Sequence, residues 1–464
     1  MIELLRRAAE ADPARLAVLT HDEAVTYAEL VARAEATGAH LRELGATRVA
    51  TFDGDAARII ALLAAASSLG VEVCQYPPAE PGAVADLAAR MEHEVLLSGD
   101  REVRASAPEG LRVVDHTGWT SSTTEREAAL PEPPTARPHL VLTTGTTGAP
   151  RGVRHDWSRL VRSVRRVQVV GDEQRWLLAY GLHQFAGLQI LLHTMASGAT
   201  LVAPIPRAPR EGLRALRELG VTHASATPTY WRFLLAEAAN DGGVLPSLRQ
   251  ITLGGEAIPG PLLGHLTRAF PDANISQVYA ASEFGSSGSV KDGRAGLSTE
   301  VLERGEDADI AMRIVDGELW VRSRVGMLGY HGEPPVEDPD GWRATGDLVE
   351  VVGDRIQFRG RSSEVINVGG VKVHPLPVEE RISAVEGVAL ARVWGRPNAL
   401  TGAIVAVDVV LAPGADKDRV RADITEACAD LVAASRPRSV RFVDDLPTKG
   451  AKILRATPQQ EGSR

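Results

Sequence analysis

Several stretches of this 464-residue chain bring together residue types that chemistry uses. The densest reads "VLTTGTTGAPRGVRH", from Val141 to His155. Glycine permits positive φ and close approach, and threonine adds donors. Backbone N–H groups and hydroxyls from Thr143, Thr144, Gly145, Thr146, Thr147 and Gly148 could therefore converge on an anion, with phosphate the first candidate. The spacing matches neither G-x-x-x-x-G-K-[ST] nor G-x-G-x-x-G. Taken alone, the stretch reads equally well as a Thr-rich surface turn between a strand and a helix.

Other stretches carry complementary chemistry. "LGGEA" places Gly254, Gly255 and Glu256 after a strand, where a planar ligand can lie against the backbone. "QVYAASEFG" offers the aromatic face of Tyr279 and, four residues on, the hard oxygen ligand Glu283, which suits Mg²⁺. Asp347 in "RATGDLVE" follows a Thr-Gly turn, where a carboxylate can accept bonds from sugar hydroxyls. Arg361 and Lys452 supply cations further on. Each has a plainer reading: a Gly-Gly bulge, a packed tyrosine, capping or surface carboxylates, a solvated lysine.

The elements that must position these residues follow from pattern and composition. The chain is 44% hydrophobic and 24% charged, which is ordinary for a folded protein, and its length calls for more than one core. Lys and Arg number 51 against 60 Asp and Glu, giving a net charge of −9; no broad basic footprint for nucleic acid exists, so anions must be bound locally. Cys74 and Cys428 stand far apart, so neither a disulfide framework nor paired-cysteine zinc is expected, consistent with a reducing cytoplasm. The first residues do not read as a signal peptide. The longest apolar run, "IIALLAAASSLG", is shorter than the roughly 17–25 residues of a membrane span, so a cytoplasmic protein with no membrane span is expected.

Thr26 and Glu29 form a capping box ahead of a helical pattern that Gly45 stops. Strand-like runs such as "RVATF", "VEVCQY", "VTHASATP" and "QITLGGEAI" alternate with helical stretches, including "PTYWRFLLAEAAN" after Thr227, which is the rhythm of a parallel sheet with crossover helices. From about Gly305 shorter strands imply a β-rich module. After Arg361 an α+β unit is expected, with helices near Pro377–Val385 and Asp416–Leu431.

In this order the motifs resemble those of the adenylate-forming superfamily, which includes acyl-CoA synthetases, aryl-CoA ligases, nonribosomal-peptide adenylation domains and luciferases. The pattern [ST]-[ST]-G-[ST]-[ST]-G-x-P-[KR]-G is matched by Thr143 to Gly152, and the resemblance runs from "AVTYAEL" to "KILR". It implies an α/β fold: a large N-terminal domain over residues 1–361, made of α/β sheet subdomains and a barrel-like β module. A small mobile α+β domain over residues 362–464 follows, with a hinge near Ser363. The resemblance also implies an ATP- and Mg²⁺-dependent enzyme. Residues from Thr143 to Gly148, with Arg151, would face the β- and γ-phosphates, and the Gly254-Gly255-Glu256 backbone and Tyr279 would hold adenine. Ser282 would meet the α-phosphate, Glu283 the metal, and Asp347 and Arg361 the ribose. Lys452 would neutralise charge as a carboxylate attacks the α-phosphorus. The acceptor would be CoA or the phosphopantetheine thiol of a carrier protein.

By the same resemblance, His183, Gln184 and Phe185 in "YGLHQFAGL", with Tyr230, Ala280 and Ala281, would line the substrate pocket; His183 reads also as a core histidine. Gln184 and an aromatic content of 4% favour a small or aromatic acid over a long fatty acid. A relative that activates nitrite for diazotisation of an aryl amine and a non-catalytic nucleotide-binding protein are the alternatives. Arg159, Arg162 and Arg166 are expected on one face of a helix after the phosphate loop, either solvated or open to CoA phosphates or an acidic carrier. Four positions depart from the family pattern: Arg151 for the commoner Lys, Ala280 for Gly, Ser363 at the hinge and Ala451 for the Gly before Lys452.

Overall fold

The capping box forms as the sequence expects. Thr26 Oγ1 accepts from the Glu29 amide at 3.2 Å, and Glu29 accepts from the Thr26 amide at 2.8 Å, opening a helix over Tyr27–Leu44 that Gly45 ends at φ 68°. Thr227 likewise caps Pro228–Asn240 through the Tyr230 amide. The computed structural model describes residues 1–119, 129–144, 150–305, 307–334, 340–449 and 452–453.

Two large sheets carry the first part of the chain. One runs in the order Gly285–Val290, Asn274–Ala281, Gln250–Gly254, His223–Ala226, Arg175–Leu178, Thr200–Val202, Leu16–Leu19, Ala24–Thr26. Its interior pairings are parallel, and antiparallel strands close both edges. The other runs Gly329–Tyr330, Pro150–Asp156, Pro138–Thr144, Glu72–Gln75, Arg48–Thr51, Val95–Leu97, Arg112–Val114. Helices Ala56–Leu69 and Phe185–Ser197 are apolar nearly all round because they share one core with strands of both sheets, from Val18, Leu178 and Leu201 to Val49, Val73 and Val141. Helices Pro209–Glu218, Pro228–Asn240 and Gly260–Ala269 cover another face of the first sheet through a second core around Trp231, Leu234 and Phe270.

The β-rich module is a five-stranded antiparallel sheet, Leu297–Ser298, Arg355–Arg361, Trp342–Val352, Glu318–Ser323, Ile310–Val315. Beyond it, Val371–Val373, Ile366–Val368, Gly402–Leu411 and Val388–Asn398 form a further sheet that Ser439–Phe442 joins in parallel. Helices Pro375–Ser383 and Lys417–Ala427 pack on it around Val378, Ile382, Val420 and Ile424, the α+β arrangement expected. No helix among the described residues is long and apolar enough to cross a membrane.

The phosphate-loop motif departs from expectation. Pro138–Thr144 and Pro150–Asp156 pair antiparallel, from Pro138↔Asp156 to Thr144↔Pro150, so the motif's centre is the tip of a hairpin rather than a strand-to-helix turn. The helix after it, Trp157–Arg162, stops where the expected basic face would have continued.

Burial without a counter-charge pulls His93 and His139 down to about 3, and His155 and His223 to about 4. An unfolded histidine titrates near 6.5, so these groups cost nothing above that pH; as it falls from 6.5 toward 4 the unfolded chain takes up protons that the fold refuses. Urea unfolding at pH 7 and pH 5 is expected to show each such histidine removing about 1–2 kcal/mol at the lower pH. A midpoint unchanged across that range would contradict the assignment.

Candidate active site

The Gly-Gly turn leaves the end of Gln250–Gly254, where a Cβ on Gly254 would lie 3.2 Å from the Val278 carbonyl oxygen and Gly255 takes φ 82°. Both glycines are thus demanded by backbone geometry. The buried Tyr180 hydroxyl donates to the Gly254 carbonyl at 3.2 Å and fixes the turn from below.

Tyr279 sits near the end of the neighbouring strand, packed between Phe284 and Phe358 at ring separations of 5.2 and 5.1 Å. Its hydroxyl donates to Asp347 Oδ2 at 2.6 Å. Burial and the negative charge of Asp347 hold the phenol well above its ordinary pKa, so it stays a donor. Asp347 and Arg361 face each other in the register of two antiparallel strands, with Arg361 Nε 3.1 Å from Asp347 Oδ1. An acid clamped by a phenol and a guanidinium, beside an aromatic ring and a Gly-Gly turn, is a cradle for a planar base and a hydroxylated sugar.

Ser282 and Glu283 lie in the turn after Asn274–Ala281, and Gly326 packs against that turn: a Cβ there would come within 2.6 Å of the Glu283 carbonyl oxygen. The Tyr330 hydroxyl donates to Glu283 Oε1 at 3.1 Å. Over the Tyr330 ring lies the Arg151 guanidinium, 3.5 Å from its centre, which also reaches Glu333 at 2.7 Å. Among the described residues no group of three or more His, Cys, Asp or Glu could hold a metal. A lone Glu283 therefore fits Mg²⁺, which takes few protein carboxylates and completes its shell with phosphate oxygens and water, and does not fit a metal that needs an all-protein cage.

Thr143 Oγ1 donates to the Arg151 carbonyl at 3.5 Å, across the hairpin whose tip would carry the phosphate contacts; Thr144 ends the strand, and Gly145, Thr146, Thr147 and Gly148 lie outside the described residues. Lys452 belongs to the two-residue strand Lys452–Ile453, paired with Thr448–Lys449, and Ala451 lies outside the described residues. Ser363 is exposed in the 3₁₀ turn Ser362–Glu364 that leads to the small sheet.

The expected pocket residues divide in their surroundings. His183 is half-buried and folds over Gly181, where a Cβ would come within 2.2 Å of its ring; burial and the nearby Arg207 charge pull it down to about 4, so it is neutral near pH 7. Gln184 accepts from the Gly181 amide at 3.1 Å, which closes its own loop. Phe185 is buried and stacks on His155 at 5.3 Å. Tyr230 is buried with its hydroxyl donating to the Ala208 carbonyl at 3.3 Å. Ala280 and Ala281 are half-buried beside Tyr279.

The arginine face does not form. Arg159 donates to the Gly326 carbonyl at 3.4 Å, while Arg162 and Arg165 both pair with Asp309, so the helix end is tied to the β module. Sequence inspection passed over Tyr330, Glu333 and Asp309; the "GYHGE" turn that holds Tyr330 and Glu333 was the available signal.

A parallel sheet with its base-and-sugar cradle at the strand ends, followed by a small α+β unit, defines a nucleotide-binding protein of the α/β class. The chain belongs to the AMP-binding enzyme family: residues 5–331 match the model for "AMP-binding enzyme" and residues 377–452 that for "AMP-binding enzyme C-terminal domain". It is 28% identical over 324 residues to a 3-[(3aS,4S,7aS)-7a-methyl-1,5-dioxo-octahydro-1H-inden-4-yl]propanoyl:CoA ligase of Mycobacterium tuberculosis, a match spanning 67% of this chain and 64% of that protein. Among solved structures, it resembles the anthranilate CoA ligase AuaEII in complex with anthranoyl-AMP (TM-score 0.83, 23% identity, 97% of this chain and 95% of that one). It also resembles the o-succinylbenzoate coenzyme A synthetase of Bacillus subtilis in complex with ATP and magnesium ion (TM-score 0.76, 23% identity, 97% and 98%). These two likenesses concern the fold.

Hydrogen bonds to charged groups are typically worth about 1.5–3 kcal/mol, so Asp347→Ala is expected to weaken ATP binding by about 10- to 150-fold in a calorimetric titration. Tyr279→Phe, which keeps the ring, is expected to weaken it far less. Equal losses from the two variants would place the energy in the phenol rather than in the carboxylate.

Proposed function

We propose that the protein is an AMP-forming acid–thiol ligase acting on a small or aromatic carboxylic acid. A carboxylate oxygen bonds to the α-phosphorus of ATP as the bond to the β-phosphate breaks, giving acyl-AMP and pyrophosphate. The thiol sulfur of CoA, or of a carrier protein's phosphopantetheine, then takes the acyl group as AMP leaves and the thiol proton goes to solvent or base. The observation that carries this reading is the Tyr279–Asp347–Arg361 cradle, one short turn from Glu283, in a chain whose two parts both match the family. The names of similar proteins support the substrate class, since anthranilate and o-succinylbenzoate are aromatic acids and the ligases named use CoA.

In this reading the cradle orients the nucleoside, and Ser282 and the hairpin from Thr143 to Gly148 hold the phosphate chain. Arg151 exchanges Glu333 for the β- and γ-phosphates. Glu283, oriented by Tyr330, holds Mg²⁺, which supplies charge neutralisation on the phosphate oxygens. Lys452 offsets the charge that grows between the carboxylate and the α-phosphate. His183, uncharged near pH 7, lines the acid's side of the site with Ala280 and Ala281 as a polar wall, not as a proton donor. We place the boundary between a large and a small domain at 361/362, with Ser363 as the hinge.

ATP–pyrophosphate exchange with pooled aryl, short aliphatic and long-chain acids tests this. Exchange is expected with an aryl or short-chain pool, and Lys452→Ala is expected to lower it by a factor of about 100–1,000, the usual effect of removing one well-placed electrostatic contact. Exchange with long-chain acids alone would overturn the substrate class. ATP binding without exchange on any acid would overturn the ligase reading.

A further inference from the structure

Glu256 has a use that a backbone role in holding adenine does not require. Its carboxylate is half-buried just past the Gly-Gly turn and makes contacts in two directions. Oε2 accepts from the Thr229 amide at 3.0 Å, in the first turn of Pro228–Asn240, where the helix leaves amides without internal partners and where negative charge is favoured. Oε1 accepts from the Ile453 amide at 3.2 Å, 197 residues further along the chain and directly after Lys452.

The second contact is not isolated. Ile453 is buried in a small apolar cluster with Leu390 and Leu446, and Phe233 of the same helix Pro228–Asn240 packs against that cluster. The cleft between the two parts of the chain is lined by Thr229, Glu256 and Ala257 on one side and Leu376, Glu380 and Ile453 on the other. One carboxylate thus joins the helix that supports the site to the main chain of the hairpin that carries Lys452. Both bonds can exist together only while that hairpin is docked.

Resting on the ligase reading above, we propose that Glu256 is a positioning residue, the large-domain half of a latch that holds the Lys452 hairpin in place for acyl-AMP formation and lets go for thioester formation. It touches no reacting atom in this role. The two half-reactions therefore respond differently to its loss, whereas damage to adenine binding would affect both.

Glu256→Ala is expected to lower kcat of ATP–pyrophosphate exchange tenfold or more with the KM for ATP changed less than twofold. Thioester formation from preformed acyl-AMP and CoA is expected to keep at least half its rate. Glu256→Gln, whose amide oxygen still accepts an N–H bond, is expected to recover most of the exchange. Amide hydrogen exchange gives a readout independent of turnover: the peptide containing Ile453 is expected to exchange at least tenfold faster in Glu256→Ala than in the wild type. Equal losses in both half-reactions, or a loss confined to KM for ATP, would overturn the latch. So would unchanged protection of the Ile453 peptide. Absence of exchange in the wild type with any acid would overturn the ligase reading itself, a result distinct from each of these.

Discussion

Parallel strand pairing is the constraint on which the rest depends. A parallel ladder needs a crossover between successive strands, so loops of one kind gather at one end of the sheet, where backbone groups leaving the ladder are free to meet a ligand. Here that end collects the Gly254-Gly255 turn, the Tyr279 strand end and the His183 loop from three strands of one sheet. The price is that helices crossing between the sheets must be apolar nearly all round, as Ala56–Leu69 and Phe185–Ser197 are, since no face of either is left for water.

The parts around that end use antiparallel pairing for a different purpose, to set charges opposite one another. Asp347 and Arg361 meet because two strands place them in register, and Arg151 stands beside Thr143 for the same reason. Cross-strand registry holds a carboxylate and a guanidinium at fixed separation with less dependence on long side-chain conformations than a loop would impose. The hairpin with Lys452 is the smallest instance, and it reaches the large sheet through backbone contact at Glu256.

Local signals in the sequence carried as far as local forces do. The Thr26–Glu29 box, the Thr227 cap and the Gly45 stop were legible because cap chemistry is decided within four residues. The fold class followed from the alternation of strands and helices. The hairpin at Thr143–Arg151 was not legible, since antiparallel pairing across a short tip competes with a strand-to-helix turn of similar composition, and the neighbour Gly329–Tyr330 that completes its edge lies far along the chain. The length of the helix after it depended on Arg162 and Arg165 finding Asp309, a tertiary contact with no signature in the helix itself. As candidates Tyr279, Asp347 and Arg361 could be named from residue type and order, but that the phenol donates to the same carboxylate the guanidinium pairs with required strand register.

Tyr330 presents its hydroxyl to Glu283 and its ring face to Arg151. Opposite charges in a half-buried site would otherwise tend to collapse into an ion pair, each cancelling the other's field. An aromatic ring interposed between them satisfies both, the acid by a donated proton and the cation by the ring's negative face, without neutralising either. The phenol thus acts as an insulator that keeps a separated charge pair ready in the empty protein, one pole for a cation and the other for an anion, so that a bound salt of the two would discharge it.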